Sequence, residues 1–465
     1  MRDLFVALVV LLSMPPSYKR PFVGLLMFSV LAYMRLQDLA WGFAKWERWS
    51  FYIAILMAAG YMAQRDRRPP IFEVRTILLL FLAVFIGLGQ FFAVGERPVD
   101  PAAYVEYVKI VGIAIFTTCI MYTRQHLRIM VWVIGLSFGF YGIKNGIAGI
   151  AKLGNLHIIR GPGGMLEDNN DFALAVAMTI PFLVHLGTSE TREILRRGVW
   201  IMVPLSMITV MLTRSRGGTL SMGVMLMLLV LRSKNKIYGL VIGFVAVVVI
   251  AALAPKEYYE RLQTLSNVEA DGSAQGRLRA WRVAFRMVQA HPITGVGFDR
   301  FAQNHLDFEP NPTLEQQSVG GVALVAHNSY FQIWAECGTP ALLTYLLLMA
   351  LSFLDIWKVR REAKRRYNRS WILSYCTMFE SSLATFMLGS FFLNRAHFDL
   401  IYHFFTIILV FGRVAREQIQ ADDEGLGFKH LTGRRGTLTT REISGFQRRV
   451  VRSKGFRNTP LLGQG

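Results

Sequence analysis

The apolar residues of this chain come in blocks rather than in stripes. Residues 77–94, 199–212, 237–254 and 341–354 are nearly uncharged runs. A run of roughly 20 apolar residues spans a bilayer. Backbone groups in lipid must be satisfied within the segment, so these runs are expected to be helices. Strands of a membrane barrel would alternate polar and apolar residues, and these runs do not. Spans are predicted near 4–14, 21–37, 49–64, 75–94, 103–122, 129–151, 171–187, 199–213, 218–232, 237–254, 328–356, 371–392 and 399–414. The first is short, so the expectation is an all-α polytopic membrane protein of about 12 spans, plus or minus one.

Short basic segments separate the runs: Arg65-Asp66-Arg67-Arg68, Arg192 to Arg197, Arg232 to Lys236, and Lys358 to Arg369. Such segments mark cytoplasmic loops. Residues 65–72, 123–128, 188–198, 232–236 and 357–370 are therefore expected inside, and by alternation 95–102, 154–170, 214–217, 255–327 and 393–398 outside. The organisation reads as N-terminal transmembrane helices (1–150), a catalytic transmembrane region with one long outer loop (151–414), and a basic tail (415–465). The tail is rich in Gly, Thr and Arg, lacks apolar periodicity, and is expected to be cytoplasmic and disordered.

Composition sharpens this picture. The chain is 53% hydrophobic, with mean hydropathy +0.36. Its net charge of +20 would suit nucleic acid, but the charge lies between spans rather than on a soluble face, so no nucleic-acid partner is expected. Cys119, Cys337 and Cys376 fall in or beside apolar runs and read as small core residues. The run Leu4 to Leu12 leads into Pro15-Pro16 and a basic pair with no small-residue cleavage site; it reads as a retained helix.

Arginines on the predicted outer side run against the sign rule. Arg214 and Arg216 sit in a short turn; Arg277, Arg279, Arg282 and Arg286 sit in the loop 255–327. They suggest an anionic ligand, the bland alternative being helix-end arginines that snorkel to headgroups. Gly276 to Ala290 reads as an amphipathic helix stopped by Pro292. Three polar clusters share this side: Thr213-Arg214-Ser215-Arg216-Gly217-Gly218; Gly276-Arg277 through Trp281 to His291-Pro292 and Gly295-Val296-Gly297; and Ala326-His327-Asn328-Ser329-Tyr330 running to Glu336-Cys337-Gly338. A fourth joins Arg160-Gly161-Pro162-Gly163-Gly164 to Asp168-Asn169-Asn170. Lys109, Lys144 and Glu380 lie inside predicted spans and are expected to form structural ion pairs among themselves.

The ordered set S-R-G, G-R-x3-W, H-P-x2-G-x-G and H-N-x-Y followed by E-x-G resembles the O-antigen ligase and O-antigen polymerase superfamily of bacterial membrane glycosyltransferases. The match covers roughly 150–410, and the N-terminal third is similar to the O-glycosylation ligase branch. The resemblance implies a GT-C-like helical fold in the bacterial inner membrane. It implies transfer of a glycan from undecaprenyl diphosphate to an acceptor on the periplasmic face. The acceptor expected first is a hydroxyl of the lipid A–core, in lipopolysaccharide biosynthesis. Polymerisation on a second lipid-linked glycan and protein O-glycosylation are alternatives with the same donor. Transport of an anionic lipid-linked glycan is the alternative from another class, but no internal repeat supports it.

The chemistry of the residues fits. The sequence has no D-x-D to hold a metal on a leaving diphosphate. Arginine can grip that group with its bidentate fork. Arg216 and Arg277, with Arg214 in support, are the expected diphosphate ligands, and neither a metal nor another cofactor is expected. His327 is the expected base, since an imidazole titrates near working pH. Asn328, Tyr330, Glu336, Arg160, Asp168 and Asn170 are expected to support the site or contact substrate, although Asn328 can equally cap a helix and Asp168 make a turn.

Overall fold

The computed structural model describes residues 1–95, 99–233, 237, 272–310, 324–366 and 371–423. The predicted span 237–254, most of the first part of the outer loop, and the tail beyond 423 lie outside the described residues. The chain divides into two units, Met1–Val410 and Phe411–Gly465.

Among the described residues the first unit is helical, with only an isolated bridge between Arg160 and Asp168. The helices are α1 (Arg2–Lys19), α2 (Pro21–Tyr33), the short α3 (Phe43–Trp46), α4 (Trp49–Ala63), α5 (Val74–Gly89), α6 (Pro101–Ile120), α7 (Arg124–Ala151), α8 (Asn169–Ser189), α9 (Glu193–Leu212), α10 (Arg216–Arg232), α11 (Gly272–Ala290), α12 (Phe301–Phe308), α13 (Ser329–Arg366), α14 (Trp371–Gly389) and α15 (Asp399–Asp423). Every predicted span within the described residues falls on a helix. Among the described residues, six helical segments are long and apolar enough to cross a membrane: Val74–Phe92, Pro101–Ile120, Arg124–Ala151, Asn169–Ser189, Glu193–Leu212 and Ser329–Lys364. Pro21–Tyr33 and Trp49–Ala63 are apolar but shorter. In the second unit the described residues are helical, and Arg413 Nε donates to Glu417 at 2.9 Å.

The helix starts follow the sequence. Asp100 caps α6 through Ala102 N (2.9 Å), with Pro101 at the first position. Thr123 caps α7 through His126 N (3.1 Å). Each cap satisfies an orphan N–H that lipid could not. At the centre stands α8, packed by α7, α9, α10 and α14. It buries 83% of its most apolar window, against 39% for α6 and α9. The lipid-facing helices expose leucines, as a membrane protein should, while α8 has none to spare.

Span ends and short connections meet at each end of the bundle. At one end Arg75 pairs with Asp355 (2.6 Å), Arg128 with Glu190 (2.8 Å), and Arg360 with Glu380 (2.7 Å). At the other, Asp3 accepts from Gly42 N (2.8 Å), Val94 N donates to Val296 O (2.9 Å), and Arg35 abuts Gly164. The ion-pair expectation is corrected in its partners: Glu380 is shared by Arg232 and Arg360, and Lys109 pairs with Glu106 at 2.6 Å. Lys109 and Glu106 lie one turn apart on α6, and Glu380 meets arginines at helix ends, where basic side chains are already gathered.

Candidate active site

Three helices begin at one cavity. Asp168 caps α8, its Oδ1 accepting from Asn170 N (2.8 Å) and Asp171 N (3.4 Å). Ser215 caps α10, accepting from Gly218 N (3.1 Å). Asn328 caps α13, its Oδ1 accepting from Tyr330 N (2.9 Å) and Phe331 N (3.1 Å). A helix N-terminus carries partial positive charge and presents N–H groups. Three of them meeting at one place bias it towards an anion before any side chain is considered.

The Ser-Arg-Gly-Gly turn is built for close approach. A Cβ on Gly217 would lie 2.8 Å from Phe392 Cβ, and one on Gly218 would lie 2.6 Å from Ala173 Cβ. Glycine there lets α10 start against α8 and the 390–395 segment. That segment is fastened to α13: Ser329 N donates to Ser390 O (2.8 Å), Ser329 Oγ to Leu393 O (2.8 Å), and Arg395 N donates to Ser329 Oγ (2.9 Å).

The cavity has a volume of about 650 Å³. Its walls include Arg214, Arg216, Arg277, His327, Asp168 and Asn170, and also Asp171, Phe392, Asn394 and Arg395. Six of the ten residues singled out in the sequence are thus brought together. Arg277 enters on α11, its guanidinium 5.9 Å from the centre of the Phe392 ring. That helix is pinned by Trp281 Nε1, which donates to Ala326 O (3.1 Å), and by Arg279, which pairs with buried Glu309 (2.9 Å). Arg279 therefore has a structural use.

His327 precedes the cap of α13 in the left-handed region, at φ 48°. A non-glycine residue there carries strain of roughly 1–3 kcal/mol and is held by its surroundings. Burial, and then the positive charge of Arg277, push its imidazole below the ordinary value; Asp168 pulls weakly the other way. Arg214 shares the left-handed conformation at φ 54°.

The remaining four candidates stand back from the cavity. Asn328 is fully buried and spends its Oδ1 on the cap. Tyr330 Oη donates to Met387 O (2.7 Å). Arg160 reaches the neighbourhood only through its backbone bridge to Asp168. Glu336 is buried and accepts from Phe301 N (3.3 Å) and Gln332 Nε2 (3.4 Å), with His397 Nε2 at 3.5 Å.

Glu336 belongs to a joint instead. Gly338 breaks α13 at φ 81°. The carbonyls so released accept from the outer-loop turn: Val296 N to Ala335 O (2.9 Å) and Gly297 N to Glu336 O (3.0 Å). Thr339 N donates back to Pro292 O (2.8 Å). The H-P-x2-G-x-G and E-x-G motifs are two halves of one backbone junction. It moors the outer loop to the helix that carries His327.

Arg395 and Asp171 were missed by sequence reasoning, and they form an ion pair on the cavity wall, with Asp171 buried and Arg395 partly exposed. The signal was present for Arg395, an arginine on the predicted outer segment 393–398. Asp171 lay within a predicted span and gave none.

With this geometry in view, comparison with known families adds a second line of support. Residues 200–346 match the O-antigen ligase family.

The stretch that supplies Arg214, Arg216, Arg277 and His327 thus lies inside the matched residues, and the match supports the O-antigen ligase and polymerase superfamily. Residues 1–191 match a family of unknown function (DUF5935). No curated protein matches the chain. The O-antigen ligase domain gives this membrane protein a ligase or polymerase role in the O-antigen pathway. Asp168, Asn170, Asp171 and Arg395 lie outside the matched stretch yet complete the same cavity.

Proposed function

We propose that the protein is an O-antigen ligase. It transfers a glycan from undecaprenyl diphosphate to a hydroxyl of the lipid A–core on the periplasmic face of the bacterial inner membrane. The observation that carries this reading is the joint presence, around one cavity, of Arg214, Arg216, Arg277 and the imidazole of His327.

The undecaprenyl tail stays in the bilayer and enters between helices, leaving the diphosphate among the arginines and helix starts. His327 takes the proton of the acceptor hydroxyl. The oxygen attacks the anomeric carbon from the face opposite the diphosphate, and the C–O bond to the diphosphate breaks with inversion. The departing diphosphate gains negative charge, which Arg216 and Arg277 neutralise through paired N–H bonds, with Arg214 in support. A lipid diphosphate is a good leaving group, so no strong general acid is needed. Arg395 is tied to Asp171 and holds the 390–395 wall to α8. The site sits at one end of the bundle with its polar groups on one face, which favours transfer over transport.

Arginine replaces the metal in this scheme. Transfer by the reconstituted protein is expected to continue at full rate in excess EDTA. A strict requirement for an added divalent ion would defeat the metal-free mechanism.

A further inference from the structure

A second cavity, of about 390 Å³, lies at the opposite end of the bundle. Its position follows from α7, which starts at this cavity with Arg124 and ends beside Leu212, near the candidate active site. A helix of 28 residues separates the two by roughly 40 Å. The walls come from the start of α2, the end of α4 with the following loop, and the α6–α7 junction. They include Arg20, Arg67, Arg68, Tyr61, Tyr122 and His126.

Several arginines near the ends of other helices are neutralised. Arg75, Arg128, Arg197, Arg232 and Arg360 each meet a carboxylate. Arg20, Arg67 and Arg68 form no ion pair among the described residues, although Asp66 also lines the cavity. Two of these arginines are nevertheless held in place. Arg67 Nη1 donates to Met62 O (3.1 Å), and the Arg68 guanidinium lies 4.2 Å over the Tyr122 ring. Tyr61 Oη donates to Arg68 O. His126 stacks on Phe22 with ring centres 4.1 Å apart, and its buried Nδ1 has no hydrogen-bond partner among the described residues. The remaining wall is apolar, from Phe22, Val23, Ile120 and Ile129. Unneutralised arginines held in place, beside an apolar wall at a membrane-spanning helix end, match a phosphate that carries acyl chains.

We propose that this cavity binds the phosphate headgroup of an anionic phospholipid of the surrounding bilayer. Arg20, Arg67 and Arg68 grip the phosphate, and Phe22, Val23, Ile120 and Ile129 take the first part of the chains. The site is separate from the glycan chemistry at the far end, and its test does not depend on that chemistry.

The full-length protein is placed in nanodiscs containing phosphatidylglycerol and phosphatidylcholine, and the lipid retained after extraction is measured by native mass spectrometry. The wild type is expected to retain phosphatidylglycerol preferentially. The variant Arg20→Gln/Arg67→Gln/Arg68→Gln is expected to lose that preference by about tenfold. These arginines are exposed, so the variant should fold; its thermal unfolding is recorded alongside. Arg196→Gln/Arg197→Gln, in the first turns of α9 where both arginines meet Glu193, is expected to retain the lipid as the wild type does. Equal retention by the triple variant, or equal loss in the control pair, overturns the proposal. So does displacement of the lipid by inorganic phosphate alone, which would make the free anion the ligand.

Discussion

Replacing His327 with Ala is expected to reduce glycan transfer by roughly 10²–10⁴-fold, with the amount of folded protein unchanged. His327 lines the cavity, and an imidazole can accept a proton near neutral pH. Its backbone strain belongs to the position, since Ala would occupy the same left-handed conformation. The helix cap would survive because Asn328 supplies it. The loss should therefore appear in turnover rather than in abundance, read as glycan-capped lipopolysaccharide against protein detected in membranes. The pH profile gives a second reading of the same group. Burial and Arg277 hold the imidazole below its ordinary value of 6.5, which favours the neutral base at pH 7. Activity should fall as pH drops through the lowered value. Near-normal ligation by His327→Ala would sink the base assignment.

The second large effect is at Arg277. Removing one preorganised donor from a developing anion costs about 10²–10³-fold in turnover, and Arg277→Ala is expected to lose that much. Arg277→Lys should recover little, because a point charge cannot reproduce two parallel N–H bonds to phosphate oxygens. A lysine would also give up the flat guanidinium face now set over Phe392. The same substitution to Ala carries a signature that a merely structural arginine would not show. Arg277 depresses the imidazole of His327, so its removal should move the acid limb of the pH profile upward. Steady-state transfer measured across pH for both variants separates the two roles. Full activity in Arg277→Lys would show that charge alone suffices.

Much of this was legible in the sequence because bilayer physics leaves few options. A long apolar run must be helical, so the helix positions among the described residues followed from counting residues, and the outer-side arginines pointed to the gathering of Arg216, Arg277 and His327. Side-chain use was less legible. Glu336 read as an intramembrane carboxylate with chemistry to do, but it supports a backbone junction that only the kink at Gly338 reveals. Asn328 and His327 are adjacent and equally polar, yet one turns inward to cap a helix and the other faces the cavity. No periodicity distinguishes them, because the difference is a positive φ at one residue. The pairing of Asp171 with Arg395 joins residues more than two hundred positions apart, and nothing local predicts a partner at that distance.

The acceptor assay is the most direct test of the account. The purified protein, reconstituted in proteoliposomes with an undecaprenyl-diphosphate-linked glycan, is offered either lipid A–core or a Ser/Thr-containing peptide. Mass spectrometry should show the lipid A–core gaining the mass of the glycan while free undecaprenyl diphosphate is released, and the peptide unchanged. A mass gain on the peptide, or elongation of the lipid-linked glycan with the lipid A–core untouched, would contradict the ligase reading.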